Sequence, residues 1–244
     1  MLTALYNHMD NNYYAFQSGR IRNIDKSILI KDFENKARWY SYFLNEYLPI
    51  EKNAPILDVP CGHGNFLWFL RGQGFTNVLG IDIDNGRVAI AKELGLSAQQ
   101  ADVFHYITNQ SDLSLIASLD FIEHNDKENI QSLIASYYKA LRKGGILIIR
   151  TPITDSLLGT YDLNNDITHK WAGNSNILEY LLIREGFSSV IFKDERPVPY
   201  KFVNWIRLGI FIVAKSVTNI WLASLGFPPR RVWSSSGWYI ARKP

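Results

Sequence analysis

The sequence has a single cysteine, Cys61, which excludes an intrachain disulfide framework and fits a reducing compartment. It also has little imbalance of charge. Its 26 basic residues against 23 acidic ones leave a net +3, too weak for the concentrated basic face that phosphate backbones require, so nucleic acid is not an expected partner. Internal repeats, low-complexity runs and long polar stretches are missing, which excludes solenoids and disordered tails. Met1 to Asn12 carries neither a basic leader nor an apolar core of signal length, so a cytoplasmic location is the expectation. What is present is globular in kind: 244 residues, 47% hydrophobic and 20% charged, enough for one sizeable core. Aromatic residues make up 14% and crowd the first fifty positions and the region beyond Tyr200.

Hydrophobic spacing predicts a helix over 27–47, with Ile30, Phe33, Trp39, Phe43 and Leu44 on one face. An alternation follows: strand 55–59, helix 64–73, strand 77–83, helix 85–94, then strands near 97–101, 113–119 and 145–150 with helices between. Asn125 with Glu128 predicts a cap for the helix running to Leu141, and Gly144 with Gly145 a stop. After Pro152 a loop is expected to Asn174, then a helix over 175–185, a strand over 188–193 and a last strand over 237–242. Parallel strands need crossovers that pass back over the sheet, so this order predicts a doubly wound α/β fold.

Glycines of the first strand-to-helix bend, in Asp58-Val59-Pro60-Cys61-Gly62-His63-Gly64, let backbone amides approach a ligand. A glycine bend alone is weak evidence. Asp58, Asp82 and Asp102 sharpen it, since all three stand at the ends of successive strands, on the edge where open α/β sheets bind ligands. A carboxylate at Asp82 can accept both hydroxyls of a ribose, and one at Asp102 the amino group of adenine. A nicotinamide site would want G-x-G-x-x-G, and Leu67 fills the third glycine position.

With these residues in order, the stretch from Asn53 to Pro152 resembles the class I S-adenosylmethionine methyltransferases, with weaker likeness out to Phe187. The resemblance implies a mostly parallel seven-stranded sheet with an apolar helical insertion before the last strand. It divides the chain into an N-terminal helical cap (1–52), a core (53–193), the insertion (194–232) and the last strand (233–244). It implies S-adenosyl-L-methionine as cofactor, its methionine end held by Asp58, Gly62 and Gly64, its ribose by Asp82, its adenine by Asp102. Pro60, Cys61, His63, Ile83, Val103, Ser118 and Asp120 complete the expected cofactor set. Pro60 departs from the pattern, standing where many members have the first glycine.

Tyr161, His124 and Arg150 are the expected substrate contacts. An imidazole titrates near neutral pH and can take a hydroxyl proton during methyl transfer, so His169 is the general-base candidate, with Asp166 orienting it. A similar Asp-x-Thr-His stretch occurs in methyltransferases resembling those of bacterial surface-polysaccharide gene clusters, which implies O-methylation of a sugar or glycan intermediate. A quinone-like or lipid-soluble acceptor is the alternative, and a non-catalytic cofactor-binding scaffold the reading from another class. Glu123 and His124 resemble a cation-chelating motif of some methyltransferases, yet no metal is expected, with His124 packing or capping the next helix.

The apolar run 202–227 is interrupted by Arg207 and Lys215, whose placement in a bilayer centre would cost about 2.5–3.5 kcal/mol each, so a spanning helix is disfavoured. Core packing, a lipid-like substrate cleft, a dimer contact and peripheral binding at the inner face of a membrane stay open for it.

Overall fold

A computed structural model describes Gly19 and residues 25–244, so the first half of the expected N-terminal cap, including the segment read for a leader, lies outside the described residues. In chain order the elements are α1 (Lys26–Leu44), β1 (Ile56–Asp58), α2 (Asn65–Gly72), β2 (Val78–Asp82), α3 (Asn85–Glu93), β3 (Ala98–Gln100), α4 (Val103–Ile107) and β4 (Leu113–Leu119). They continue as α5 (Lys127–Ala140), β5 (Leu141–Pro152), α6 (Gly159–Asn165), α7 (Ser175–Glu185), β6 (Ser189–Asp194), α8 (Phe202–Ser224) and β7 (Ser236–Arg242). The strands form one seven-stranded sheet in the order β3-β2-β1-β4-β5-β7-β6, with β7 antiparallel to both its neighbours. Chain direction reverses its march across the sheet between β1 and β4, the switch point that opens a crevice at the strands' C-terminal edge.

The inner strands are apolar on both faces because both faces are covered. Leu115, Ala117, Ile146 and Ile148 pack with Tyr40 and Phe43 of α1 and Phe66 and Phe69 of α2. Ile116, Leu147 and Ile149 point the other way, onto Leu133 and Tyr137 of α5 and Leu178 and Leu182 of α7. Trp238 in β7 is sealed from solvent and meets the rings of Trp39, Tyr40 and Phe43. Asp25 caps α1 by accepting the Ser27 amide.

Three local expectations are corrected. The first residue outside α5 is Asp126, while the Asn125 side chain turns back to donate to the Phe121 carbonyl at 2.6 Å. Gly144 and Gly145 do not stop that helix: it ends at Ala140, β5 starts at once, and the glycines lie inside it, where its register against β4 shifts. A Cβ on Gly145 would stand 2.8 Å from the Arg142 carbonyl oxygen, so the kink needs glycine. The expected loop before Asn174 contains the short helix α6.

The insertion α8 differs most from the core-packing reading. It runs 23 residues and is long and apolar enough to cross a membrane by length and composition, with Leu222 its one buried residue. Its expected place between β6 and the last strand is kept.

Candidate active site

The three expected acids meet at one edge because the strand register puts them there. Asp58 pairs with Gly80 in β2, two residues before Asp82, and Asp82 pairs with Gln100 in β3, two residues before Asp102. Asp58 is buried, one carboxylate oxygen has no hydrogen-bond partner among the described residues, and burial together with the nearby Asp82 charge raises its pKa well above the usual carboxylate range. Asp82 accepts the Gly62 amide and the Asp84 amide, each at 2.8 Å, one on each oxygen. Burial still pushes its pKa up, although those two amides pull the other way. A carboxylate offers about four lone-pair sites, so two remain for a ligand's hydroxyls. Asp102 is exposed and caps α4 by accepting the His105 amide at 2.9 Å.

Gly62 and Gly64 take φ of 54° and 96°, the left-handed region that side chains rarely adopt. Among the described residues nothing lies within 4 Å of where a Gly62 Cβ would be. The loop is pinned by the Cys61 amide to the Ile81 carbonyl at 2.8 Å, which makes the amide that Pro60 lacks dispensable. Close seating also depends on Gly80, where a Cβ would fall 2.6 Å from both Cys61 Cβ and Leu67 Cδ1. Cys61 is buried, and desolvation raises its thiol pKa far beyond a reactive range, so it packs. His63 is half-buried with its ring 5.5 Å from Phe33, and burial lowers its pKa to about 4, which keeps it neutral.

Other expected cofactor residues distribute unevenly. Ile83 is exposed beside Asp82, whereas Val103 is buried in the core, so ligand contact there falls to its backbone. The Ser118 side chain is fully buried under α5, where its hydroxyl pairs with Tyr137 at 3.0 Å, so contact there too falls to its backbone. Asp120 and Arg150 form an ion pair, and Arg150 also binds Glu195 through Nε at 2.6 Å and Nη2 at 3.1 Å. The guanidinium lies over Trp39 as well, 5.2 Å from the ring centroid. Arg150 is thus a fastening between β4, β5 and the chain leaving β6. Glu195 carried no sequence signal, since its partner is 45 residues away.

Residues from two distant segments meet in a second cluster. The Glu123 carbonyl accepts the amides of Lys170 at 2.8 Å and Trp171 at 3.0 Å, which ties the turn after β4 to the stretch after α6. The rings of His124 and His169 then stand 4.8 Å apart, edge to face. Thr168 donates its hydroxyl to Asp166 at 2.6 Å and is 2.8 Å from His124 Nδ1, so its oxygen accepts that N–H. His169 Nδ1 donates to the Asp162 carbonyl at 2.9 Å, which leaves the lone pair of this ring on Nε2. Burial, with His169 beside it, lowers the His124 pKa to about 4.

Asp166 therefore orients Thr168 and through it His124, whereas His169 is oriented by the Asp162 carbonyl, a correction to the expected pairing. Thr168, in the Asp-x-Thr-His stretch itself, is the member that sequence reading passed over. Glu123 is buried; its carboxylate accepts the Thr151 hydroxyl at 3.0 Å, and desolvation raises its pKa to about 8. Ligand atoms of Glu123, His124 and His169 lie within 4.8 Å of one another, a set able to hold a metal ion. Tyr161 is exposed on α6.

The sequence matches the family model described as "Methyltransferase domain" over residues 32–191. The chain belongs to that methyltransferase family. Among solved structures it is similar to a SAM-dependent methyltransferase from Archaeoglobus fulgidus, at 22% identity and TM-score 0.64, over 90% of this chain and 100% of that one. A second, from Mesorhizobium loti, gives 18% identity and TM-score 0.60 over 86% and 100%. A third is phosphoethanolamine N-methyltransferase 2 from Haemonchus contortus in complex with S-adenosyl-L-methionine, at 15% and TM-score 0.61, over 86% of this chain and 52% of that one. No curated protein matches the sequence. The site fits S-adenosylmethionine: a carboxylate oxygen on Asp58 without a partner among the described residues, two left-handed glycines and spare acceptor capacity on Asp82 are what a cationic amino acid joined to a ribose requires.

Proposed function

We propose that this methyltransferase methylates a hydroxyl of a small acceptor, a sugar or glycan intermediate. One observation supports the reading most: His169 donates through Nδ1 to the Asp162 carbonyl, which leaves its lone pair on Nε2, in a ring packed edge to face against His124. When bound, S-adenosylmethionine supplies an activated sulfonium methyl group. The protein's share is to align the acceptor oxygen and to remove one proton. His169 Nε2 takes that proton, the Asp162 carbonyl steadies the imidazole through Nδ1, and the His124 ring packs edge to face against it.

A quinone-like or lipid-soluble acceptor is the second reading, favoured by the exposed apolar helix that leaves the same edge of the sheet. Methyl transfer from radiolabelled donor to sugar-phosphate fractions and to lipid extracts separates the two. Label confined to the lipid phase would overturn the sugar assignment. His169→Ala should lower turnover by about 10²–10⁴-fold, the usual contribution of a positioned general base, with cofactor affinity unchanged.

A further inference from the structure

Helix α8 is amphipathic the wrong way round for a soluble protein. Its inward face carries Asn204, Lys215, Thr218 and Asn219 among the few apolar residues that touch the body. Its outward face is branched aliphatic and aromatic: Ile210 is 64% exposed, Val213 62%, Val217 60% and Ile220 72%, with Trp205 and Trp221 near its two ends also exposed. A surface helix normally turns its apolar stripe to the core and its polar stripe to water. Among the described residues nothing covers this face, and contiguous exposed patches of this kind mark contact sites.

The helix does not span a bilayer. It connects β6 to β7, which are hydrogen-bonded neighbours in one sheet, so both its ends return to the same side. It also leaves from the edge that carries the acids, because β6 runs parallel to β5 and ends where β5 ends.

Charge selects the occupant. Beyond Glu195 the chain has eight basic residues and no acidic one, although acids and bases are nearly balanced overall. Lys201 precedes the helix, Arg207 flanks its outward face, and Arg230 with Arg231 follow it, all exposed. A second copy docked through the same face would bring these cations against each other in either orientation, as a two-fold interface pairs a patch with itself. An anionic lipid surface matches both properties: headgroups for the cations, acyl chains for the apolar face.

We propose that α8 lies in the plane of an anionic membrane, apolar face down, and seats the methyltransferase with the C-terminal edge of its sheet towards the lipid. The full chain floated with vesicles of phosphatidylcholine and phosphatidylglycerol should bind them, and bind vesicles of phosphatidylcholine alone more weakly. Added salt should release it. Arg207→Gln should weaken partition about fivefold, from roughly 1 kcal/mol per basic residue near such a surface. Ile210→Glu with Val217→Glu should abolish it while leaving thermal stabilisation by S-adenosylhomocysteine intact, which separates lost docking from lost folding. No flotation with either vesicle would overturn the proposal, as would a double variant that floats like the parent. A homodimer in solution that the same double substitution disperses would assign the face to a second copy instead.

Discussion

Asp82 does two jobs with one carboxylate, holding the Gly62 and Asp84 amides and keeping acceptor capacity for a ribose. Asp82→Ala removes both, so it should lower S-adenosylhomocysteine affinity by more than about tenfold, the cost of roughly 1.4 kcal/mol, in a calorimetric titration. Glu123 makes a different prediction, about pH. Its pKa is about 8 in the fold against an ordinary 4.5, so the folded state holds the proton more tightly than the unfolded chain. Its contribution to stability is therefore full below about pH 4.5 and lost as pH rises towards 8. Glu123→Gln keeps the acceptor for the Thr151 hydroxyl without the titration, so its melting temperature should gain on the parent as pH rises from 5 to 9. A constant difference across that range would remove the desolvated carboxyl as the cause.

At the scale of elements, the bend between β1 and α2 depends on a residue of the neighbouring strand. Gly80→Ala would push a methyl group into Cys61 and Leu67, and overpacking of this kind costs about 1–3 kcal/mol. The variant should unfold at lower denaturant and bind the cofactor more weakly, since the bend must lift to relieve the clash. Trp238→Ala should cost about 3–5 kcal/mol, because it empties the space between β7 and the rings of α1. A shift in denaturation midpoint without a change of slope checks each. These elements also show what sequence could reveal. Strand positions were legible because apolar runs alternate with helical spacing, and Asp58 and Asp82 because each closes such a run, whereas Asp102 follows the short polar strand β3. The polarity of α8 was not legible: the hydrophobic stripe is plain in the sequence, but which side faces the body is decided by the connections at its ends. The fastening by Arg150 was hidden for a related reason, as its partners, Asp120 and Glu195, are brought in by separate strands. The histidine pair was half visible, since His169 and Asp166 share a motif while His124 joins them only through backbone bonds to the Glu123 carbonyl.

As a whole molecule, the protein should respond to its cofactor as one cooperative unit. At about 100 times its Kd, S-adenosylhomocysteine should add roughly 2.7 kcal/mol, which at about 2–4 °C per kcal/mol is a shift of several degrees. NAD should give none, and a shift with NAD alone would contradict the site. The base of the insertion is stapled independently of α8. Asp194 at the end of β6 accepts the amides of Trp233 and Ser234, each at 3.1 Å, just before β7 begins. Antiparallel neighbours such as β6 and β7 can be joined by a hairpin of a few residues. The long detour is therefore an architectural surplus, tolerated by the sheet but not demanded by it. A chain shortened to a tight turn between Glu195 and Val232 should keep its seven strands and its donor crevice, and forfeit whatever advantage the detour was retained to confer.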